Sequence, residues 1–463
     1  MAKSFEKPKF SLRLLIDEEK NRVILAEAGK DFVDVLCSLL TLPMGTIVRL
    51  LEKHQNPQSS VVGCLHNLYK SVADMDVDNF ESQACKHFLL HPRSAKGSHG
   101  RDLKLNIDDT GATKFFVCPN FVSTEACRKL FSNVSTMKCR CGSSMHREIP
   151  VEEQQADGVF PSCRTSFVIT DDLKVAFNSM GLVMNVLNDF GYSGFDKLQE
   201  MLIDVGFEEI LTLLGCLFTS EAPLTDTFLR KHCMSRKRKM LTPLVQESSV
   251  AGAADNLLTL KVYVRKTDRA VLYAECREEF VDFLFTFLAI PIEFAWELSI
   301  DIGNMGCVGN LAQPLDVVIQ ESPEYECLVT HYGHNMLCKK INKAVLSNGE
   351  IIAKFTSASA SIGLVKGETN FIVSDDLVVT PMNSSSTISL LSKLQMNIGD
   401  IEEQVISIGK AEATSLLRAS LITTSALTNG LSNFLSKMDP DEVTQSTPKI
   451  QKSDKPNEAW QLL

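Results

Sequence analysis

The sequence lacks a long apolar run, an excess of positive charge and the common nucleotide-binding and hydrolase motifs. Its longest apolar stretches, residues 35–42 and 283–292, are much shorter than the roughly 20 residues of a membrane-spanning helix. The 463 residues carry 47 basic and 57 acidic side chains, and a net charge of −10 argues against a general nucleic-acid-binding protein. The patterns G-x-x-x-x-G-K-[ST], G-x-G-x-x-G, H-E-x-x-H and G-x-S-x-G are absent.

Targeting features are also scarce. The basic residues near the N-terminus are not followed by an apolar run, so neither a secretory signal nor a transit peptide is predicted. Without export, the 14 cysteines are expected to be mostly thiols or metal ligands rather than disulfides. With 44% hydrophobic and 22% charged residues, the composition predicts a soluble cytoplasmic protein of two or three domains.

One unit of the sequence occurs twice. Residues 11–43 align without gaps to residues 259–291 at a constant offset of 248. Further matching blocks follow in the same order: G-C-x-x-N-L at 63–68 and 306–311, a strand with an Asp-Asp turn at 166–173 and 370–377, and the Ile-rich segments 203–206 and 406–409. This order predicts two tandem copies of a unit of roughly 200 residues.

Each copy is predicted to contain both strands and helices. Residues 11–17 and 22–28 are rich in Leu, Ile and Val and flank a polar turn, which predicts a hairpin. A helix is predicted from Asp31, whose charge favours a helix N-terminus, to the residue before Pro43.

Later segments extend this pattern. Strands are predicted at Phe167–Thr170 and Phe371–Ser374, whereas residues 196–219 and 400–422 show helical spacing interrupted by glycine. Because strands and helices do not alternate strictly, the predicted fold class is α+β.

The predicted organisation has two repeat copies, a linker and a tail. These are the first copy at 8–232 with a Cys-rich insertion at about 112–150, the linker at 233–257, the second copy at 258–438 and the flexible tail at 439–463. The linker contains the basic tetrad Arg236–Lys239, which is typical of a solvated charge run or, alternatively, of a nuclear address.

The insertion contains the main candidate metal site. Between the proline and the Asp-Asp turn, the first copy spans 128 positions and the second spans 84, so the first is 44 residues longer. The surplus holds Cys118, Cys127, Cys139 and Cys141, a set suited to a structural, tetrahedral zinc ion. Gly142 permits a tight turn after the last pair.

A zinc-ribbon-like insertion is predicted. Its spacing departs from that of zinc ribbons, because eight residues separate Cys118 from Cys127 and one residue separates Cys139 from Cys141. The alternative is ordinary thiols, with Cys139 and Cys141 as a redox pair.

Two other sets of residues have candidate chemistry. Cys327, His331, His334 and Cys338 are all metal-ligand types, but on a continuous helix the outer two would lie ~16 Å apart, so they could share an ion only in a bent segment. Adjacent carboxylates at Asp171-Asp172 and Asp375-Asp376 suit Mg²⁺ binding or acid–base chemistry. Such residues are also typical of turns and caps, which is the favoured interpretation.

These blocks resemble a large plant family known as "domain of unknown function 674". The resemblance rests on residues 14–36, 63–72, 139–142 and 170–173, and extends over nearly the whole chain, including its tandem arrangement. It implies a plant protein and transfers no catalytic residue, because the family has no assigned activity. The second copy departs from the pattern by lacking the Cys-x-Cys-Gly element.

Three functions are compatible with the sequence. The favoured hypothesis is a non-enzymatic interaction or scaffold protein with a structural zinc site and an unidentified protein partner. An enzyme with a pocket between the two copies would use the repeated carboxylates. A nuclear, nucleic-acid-associated regulator is the weakest hypothesis, given the charge of −10.

Overall fold

The computed structural model describes residues 9–54, 62–81, 83–92, 103–109, 115–121, 131–132, 139, 141–149, 166–231, 258–293, 307–311, 364–383, 389, 392 and 398–435. Its strands are β1 (Phe10–Asp17), β2 (Arg22–Ala28), β3 (Phe115–Val117), β4 (Phe131–Ser132), β5 (Arg147–Ile149), β6 (Phe167–Thr170), β7 (Val175–Phe177), β8 (Leu198–Val205), β9 (Leu258–Arg265), β10 (Val271–Arg277), β11 (Asn370–Ser374), β12 (Val379–Pro381) and β13 (Ile401–Ile408).

Its α-helices are α1 (Lys30–Leu40), α2 (Met44–His54), α3 (Leu65–Asp74), α4 (Gln83–Leu90), α5 (Met180–Asp189), α6 (Phe207–Thr219), α7 (Glu278–Thr286), α8 (Lys410–Ile422), α9 (Ala426–Gly430) and α10 (Ser432–Leu435). A π-helical turn covers Thr225–Arg230, and 3-10 turns cover Val77–Asn79, Pro119–Phe121, Phe287–Ala289 and Ile398–Asp400. Within these described ranges, no helix has the length and apolar character needed to cross a bilayer. The mixture of helices and strands agrees with the predicted α+β class.

Two five-stranded antiparallel sheets form the framework. The first has the order β7-β6-β2-β1-β8 and the second has the order β12-β11-β10-β9-β13. In β1, the alternate side chains of Phe10, Leu12, Leu14 and Ile16 are buried, as expected for a strand with one face on a core. The predicted hairpin, the helix near Asp31 and the strand at Phe167–Thr170 are confirmed.

The prediction of helices over 196–219 and 400–422 is wrong in its first part. Residues before Gly206 and Gly409 form the strands β8 and β13, and helices α6 and α8 begin only after these glycines. Each strand pairs over eight residues with the first strand of its hairpin, and this long-range pairing overrides local helical spacing. The Glu209 carboxylate accepts a hydrogen bond from the Gly206 N–H (2.9 Å) and stabilises the start of α6.

One hydrophobic core contains side chains from the N-terminal half (residues 9–231) and the C-terminal half (residues 258–435). The halves also meet through their backbones, because Pro43 and Pro291 form an antiparallel bridge. Beside it, the Met44 N–H donates to the Ile290 carbonyl (2.9 Å). The apolar helices that precede these prolines therefore belong to one shared core rather than to two separate cores.

Several predictions lie outside the described residues. These are the linker (233–257) with its basic tetrad Arg236–Lys239, the tail (439–463), Cys127, and the set Cys327, His331, His334 and Cys338.

Candidate metal centre

Three cysteines converge at one end of a small antiparallel sheet. This sheet has the order β4-β3-β5, and Cys118 directly follows the last residue of its central strand. Cys139 and Cys141 flank a tight turn, in which the Gly142 N–H donates to the Cys139 carbonyl (2.8 Å). Gly142 has a φ of 86°, a backbone conformation that favours glycine.

The three sulfur atoms lie within 4.8 Å of one another. The Sγ atoms of Cys118 and Cys141 are in contact at 3.4 Å. Cys118 and Cys139 are buried, whereas Cys141 is exposed. The cluster thus has two sulfurs that are shielded from solvent and one that solvent can reach.

Amide donors face the sulfur atoms. The Asn120 backbone N–H donates to the Cys118 Sγ (3.4 Å), and the Asn120 side-chain amide donates to the Cys141 Sγ (3.8 Å). These hydrogen bonds orient both sulfur atoms toward the same side of the cluster. Buried Met145 and the partly buried Phe116 pack with Cys118 and Cys139 in a small hydrophobic cluster.

The cluster suits a thiophilic metal ion. Cys118, Cys139 and Cys141, three of the four predicted zinc ligands, are brought together and could bind a metal.

Most of the described cysteines are thiols. Eight of them, including the three of the cluster, are thiols, and Cys216 is disulfide-bonded.

The repeated Asp-Asp turns bind distant segments of the chain in both halves. Asp171 is fully buried and accepts hydrogen bonds from the Thr225 N–H (2.9 Å), the Thr225 hydroxyl (2.8 Å) and the Arg22 guanidinium (3.1 Å). Asp375 accepts a matching bond from the Thr428 N–H (2.7 Å). Burial raises the pKa of Asp171 and of Asp375, and the hydrogen bonds from threonine oppose that rise.

The second aspartate of each turn receives an asparagine from the opposite half. The Asn310 side-chain amide donates to the backbone carbonyl (2.9 Å) and carboxylate (3.2 Å) of Asp172. The Asn67 amide donates equivalently to the carbonyl (2.9 Å) and carboxylate (3.0 Å) of Asp376. Both Asp-Asp pairs lie in turns, as the favoured interpretation predicted.

These two asparagines were not predicted as important residues. Both belong to the G-C-x-x-N-L block that occurs twice in the sequence, and this recurrence is the signal that could have identified them. Cys64 and Cys307 of the same block are buried, and their thiols donate to the carbonyls of Thr423 (3.1 Å) and Ser220 (3.3 Å) in the opposite half. The block is therefore a contact between halves.

The fold and the site define an α+β protein with two five-stranded antiparallel sheets and a three-thiol cluster beside a small three-stranded sheet. A family model described as "Protein of unknown function (DUF674)" matches residues 6–316 and 311–411. The chain belongs to this family. Comparison with curated proteins and with solved structures gave no match.

Proposed function

We propose that this protein is a non-enzymatic interaction or scaffold protein with a structural zinc site. In this proposal two copies of one unit, 8–232 and 258–438, are joined by the linker 233–257 and followed by the tail 439–463. The first copy alone carries a zinc-ribbon-like insertion at about 112–150. The convergence of Cys118, Cys139 and Cys141 is the observation that supports the proposal most directly.

Zinc is the metal that suits this set of ligands. Thiolate sulfur selects soft or borderline metals, and structural zinc sites commonly have four cysteine ligands in a tetrahedron. Cys127 is the proposed fourth ligand. A site closed by four protein ligands has no open position for substrate or water, so the metal would stabilise the insertion rather than catalyse a reaction.

Metal analysis of the full-length protein tests the zinc site. We expect one zinc per chain in the wild type and a loss of most of that zinc in Cys139→Ser. The Cys85→Ala variant is the matched control, because Cys85 is another buried thiol but lies outside the cluster. Circular dichroism of each variant verifies that the two large sheets remain folded. A folded wild type purified without chelators and without stoichiometric zinc would refute the site.

The hydrogen bonds that the repeated carboxylates accept within the fold support a non-enzymatic role for the protein. Asp171 and Asp375 hold backbone and hydroxyl groups, and Asp172 and Asp376 receive the cross-half asparagines. Asp171 is buried and the other three aspartates are half-buried, so carboxylates that already accept these hydrogen bonds are poorly placed to exchange protons with a substrate. This arrangement favours the interaction hypothesis over an enzyme that uses these residues.

The partner and the location are tested in plant tissue. We expect affinity capture with the wild type to retain a specific protein that Cys139→Ser fails to retain, and a fluorescent fusion to remain in the cytoplasm. Nucleic acid in the captured material, together with nuclear fluorescence that depends on Arg236–Lys239, would instead support the nuclear regulator.

A further inference from the structure

We propose that Cys118 and Cys141 form an oxidation-sensitive pair, in which peroxide converts the metal-binding thiolates to a disulfide and releases the metal. This inference rests on the proposed metal site and adds a mode of regulation to it. The reversible disulfide would thus join two cysteines that are far apart in the sequence, rather than Cys139 and Cys141, which are separated by one residue.

The distance between the two sulfurs favours this pair. Their Sγ atoms are 3.4 Å apart, and a disulfide bond needs about 2.05 Å. A shift of little more than 1 Å, shared by two side chains, is therefore sufficient. Cys118 follows a strand and Cys141 lies on a turn, so the new bond would link two separate segments of the insertion.

The two thiols differ in their exposure to solvent, and this difference gives them different roles in the reaction. Cys141 is exposed and accessible to a small oxidant, whereas Cys118 is 0% exposed. Asn120 donates hydrogen bonds to both sulfurs and so holds them side by side. An accessible thiol beside a protected one is the arrangement of an attacking and a resolving cysteine.

The geometry of the turn argues against the neighbouring pair. Cys139 and Cys141 are separated by one residue, and the turn between them is held by the bond from the Gly142 N–H to the Cys139 carbonyl (2.8 Å). A disulfide across one residue would have to distort this turn. Cys139 is also buried, so oxidant reaches Cys141 first.

The reaction balances with hydrogen peroxide as the oxidant. The Cys141 thiolate attacks one peroxide oxygen and takes up its OH as sulfenic acid, while the O–O bond breaks and the leaving hydroxide gains a proton to become water. The Cys118 thiolate then attacks the Cys141 sulfur and displaces hydroxide, which also becomes water. The two sulfurs lose two electrons, peroxide gains them, and the metal loses two ligands.

The experiment treats the zinc-loaded full-length protein with a few equivalents of peroxide. A chromogenic chelator measures released zinc, and mass spectrometry of alkylated peptides identifies cross-linked cysteines. We expect release of most of the zinc together with a Cys118–Cys141 cross-link, both reversed by a dithiol reductant when zinc is supplied. Cys141→Ser should form no cross-link to Cys118, and Cys85→Ala should behave as the wild type.

Three outcomes separate the two proposals. Absence of zinc from the untreated protein would overturn the proposed metal site. Zinc that is present but retained in peroxide would overturn the redox inference alone. A cross-link between Cys139 and Cys141, or irreversible oxidation of Cys141 without a cross-link, would also overturn the assignment of the pair.

Discussion

At the scale of single residues, the half-buried Asp282 binds a backbone segment that comes from a distant part of the chain. Asp282 in α7 accepts hydrogen bonds from the N–H groups of Leu364 (3.0 Å) and Val365 (2.8 Å). Val365 in turn forms an antiparallel bridge with Phe80 of the N-terminal half. Burial raises the pKa of Asp282 to about 7, and the two N–H donors oppose that rise.

This pKa predicts a pH-dependent contribution to stability. Because the folded pKa exceeds the unfolded value, the contribution of Asp282 is complete below about pH 4 and is lost as the pH rises to about 7. The difference in unfolding free energy between wild type and Asp282→Asn should therefore fall across this range, by at most about 1.4 kcal/mol per pH unit. Urea titrations at several pH values measure it. A difference that does not vary with pH would contradict the prediction.

Gly63 shows how closely the two halves approach. It has a φ of +51°, and a Cβ atom there would lie 2.1 Å from the Ser420 carbonyl oxygen of the C-terminal half. We expect Gly63→Ala to destabilise the protein by about 2 to 4 kcal/mol, because it adds both backbone strain and overpacking. Gly29→Ala is the control, since a Cβ atom on Gly29 would have nothing within 4 Å and its φ of −80° is ordinary. Equal losses in denaturant titrations of the two variants would refute this explanation.

At the scale of elements, the edge strands β8 and β13 depend on distant partners for their conformation. Both contain an exposed apolar residue in the middle of the strand, Leu202 at 71% and Val405 at 63% exposure. Such residues next to partly buried ones obscure the alternation by which a strand is predicted. The sequence therefore located the boundary glycines Gly206 and Gly409 correctly but not the type of element before them.

Substitutions at two adjacent positions of β8 test whether this segment is a strand with one face on the core. Leu202 is exposed and pairs with Arg13, whereas Ile203 pairs with Leu12 and packs against the core. We expect Leu202→Thr to change the unfolding free energy by less than about 0.5 kcal/mol and Ile203→Thr to reduce it by about 1 to 2 kcal/mol. Chemical denaturation of the full-length variants provides both values. Similar losses at the two positions would be inconsistent with opposite faces of a strand.

At the scale of the whole molecule, the two halves are joined reciprocally. Asn67 of the N-terminal half binds the turn at Asp376, and Asn310 of the C-terminal half binds the turn at Asp172. The shared core and the bridge between Pro43 and Pro291 add to these contacts. We therefore expect the two halves to unfold together.

Removal of either asparagine tests this coupling. Asn67→Ala and Asn310→Ala should each lower the unfolding free energy by about 1 to 3 kcal/mol, because each removes a hydrogen-bond donor from a partly buried carbonyl and from the carboxylate beside it. Calorimetry should still show one transition, at lower temperature. Asn178→Ala is the control, because its amide binds Glu27 and Ser166 within its own half and is exposed. Independent melting of two halves in the wild type would contradict the coupled fold.

The sequence by itself determined the repeated blocks, the hairpin, the first helix, the α+β class and the cysteines of the insertion. These are local patterns of apolar spacing, turn residues and residue type, which need no knowledge of the partner segment. Tertiary structure alone decided that β8 and β13 are strands, that Asn67 and Asn310 bind the turns of the opposite half, and that Cys118 lies 3.4 Å from Cys141. Each of these depends on contacts between residues far apart in the chain, and no local propensity specifies which distant segments will pair.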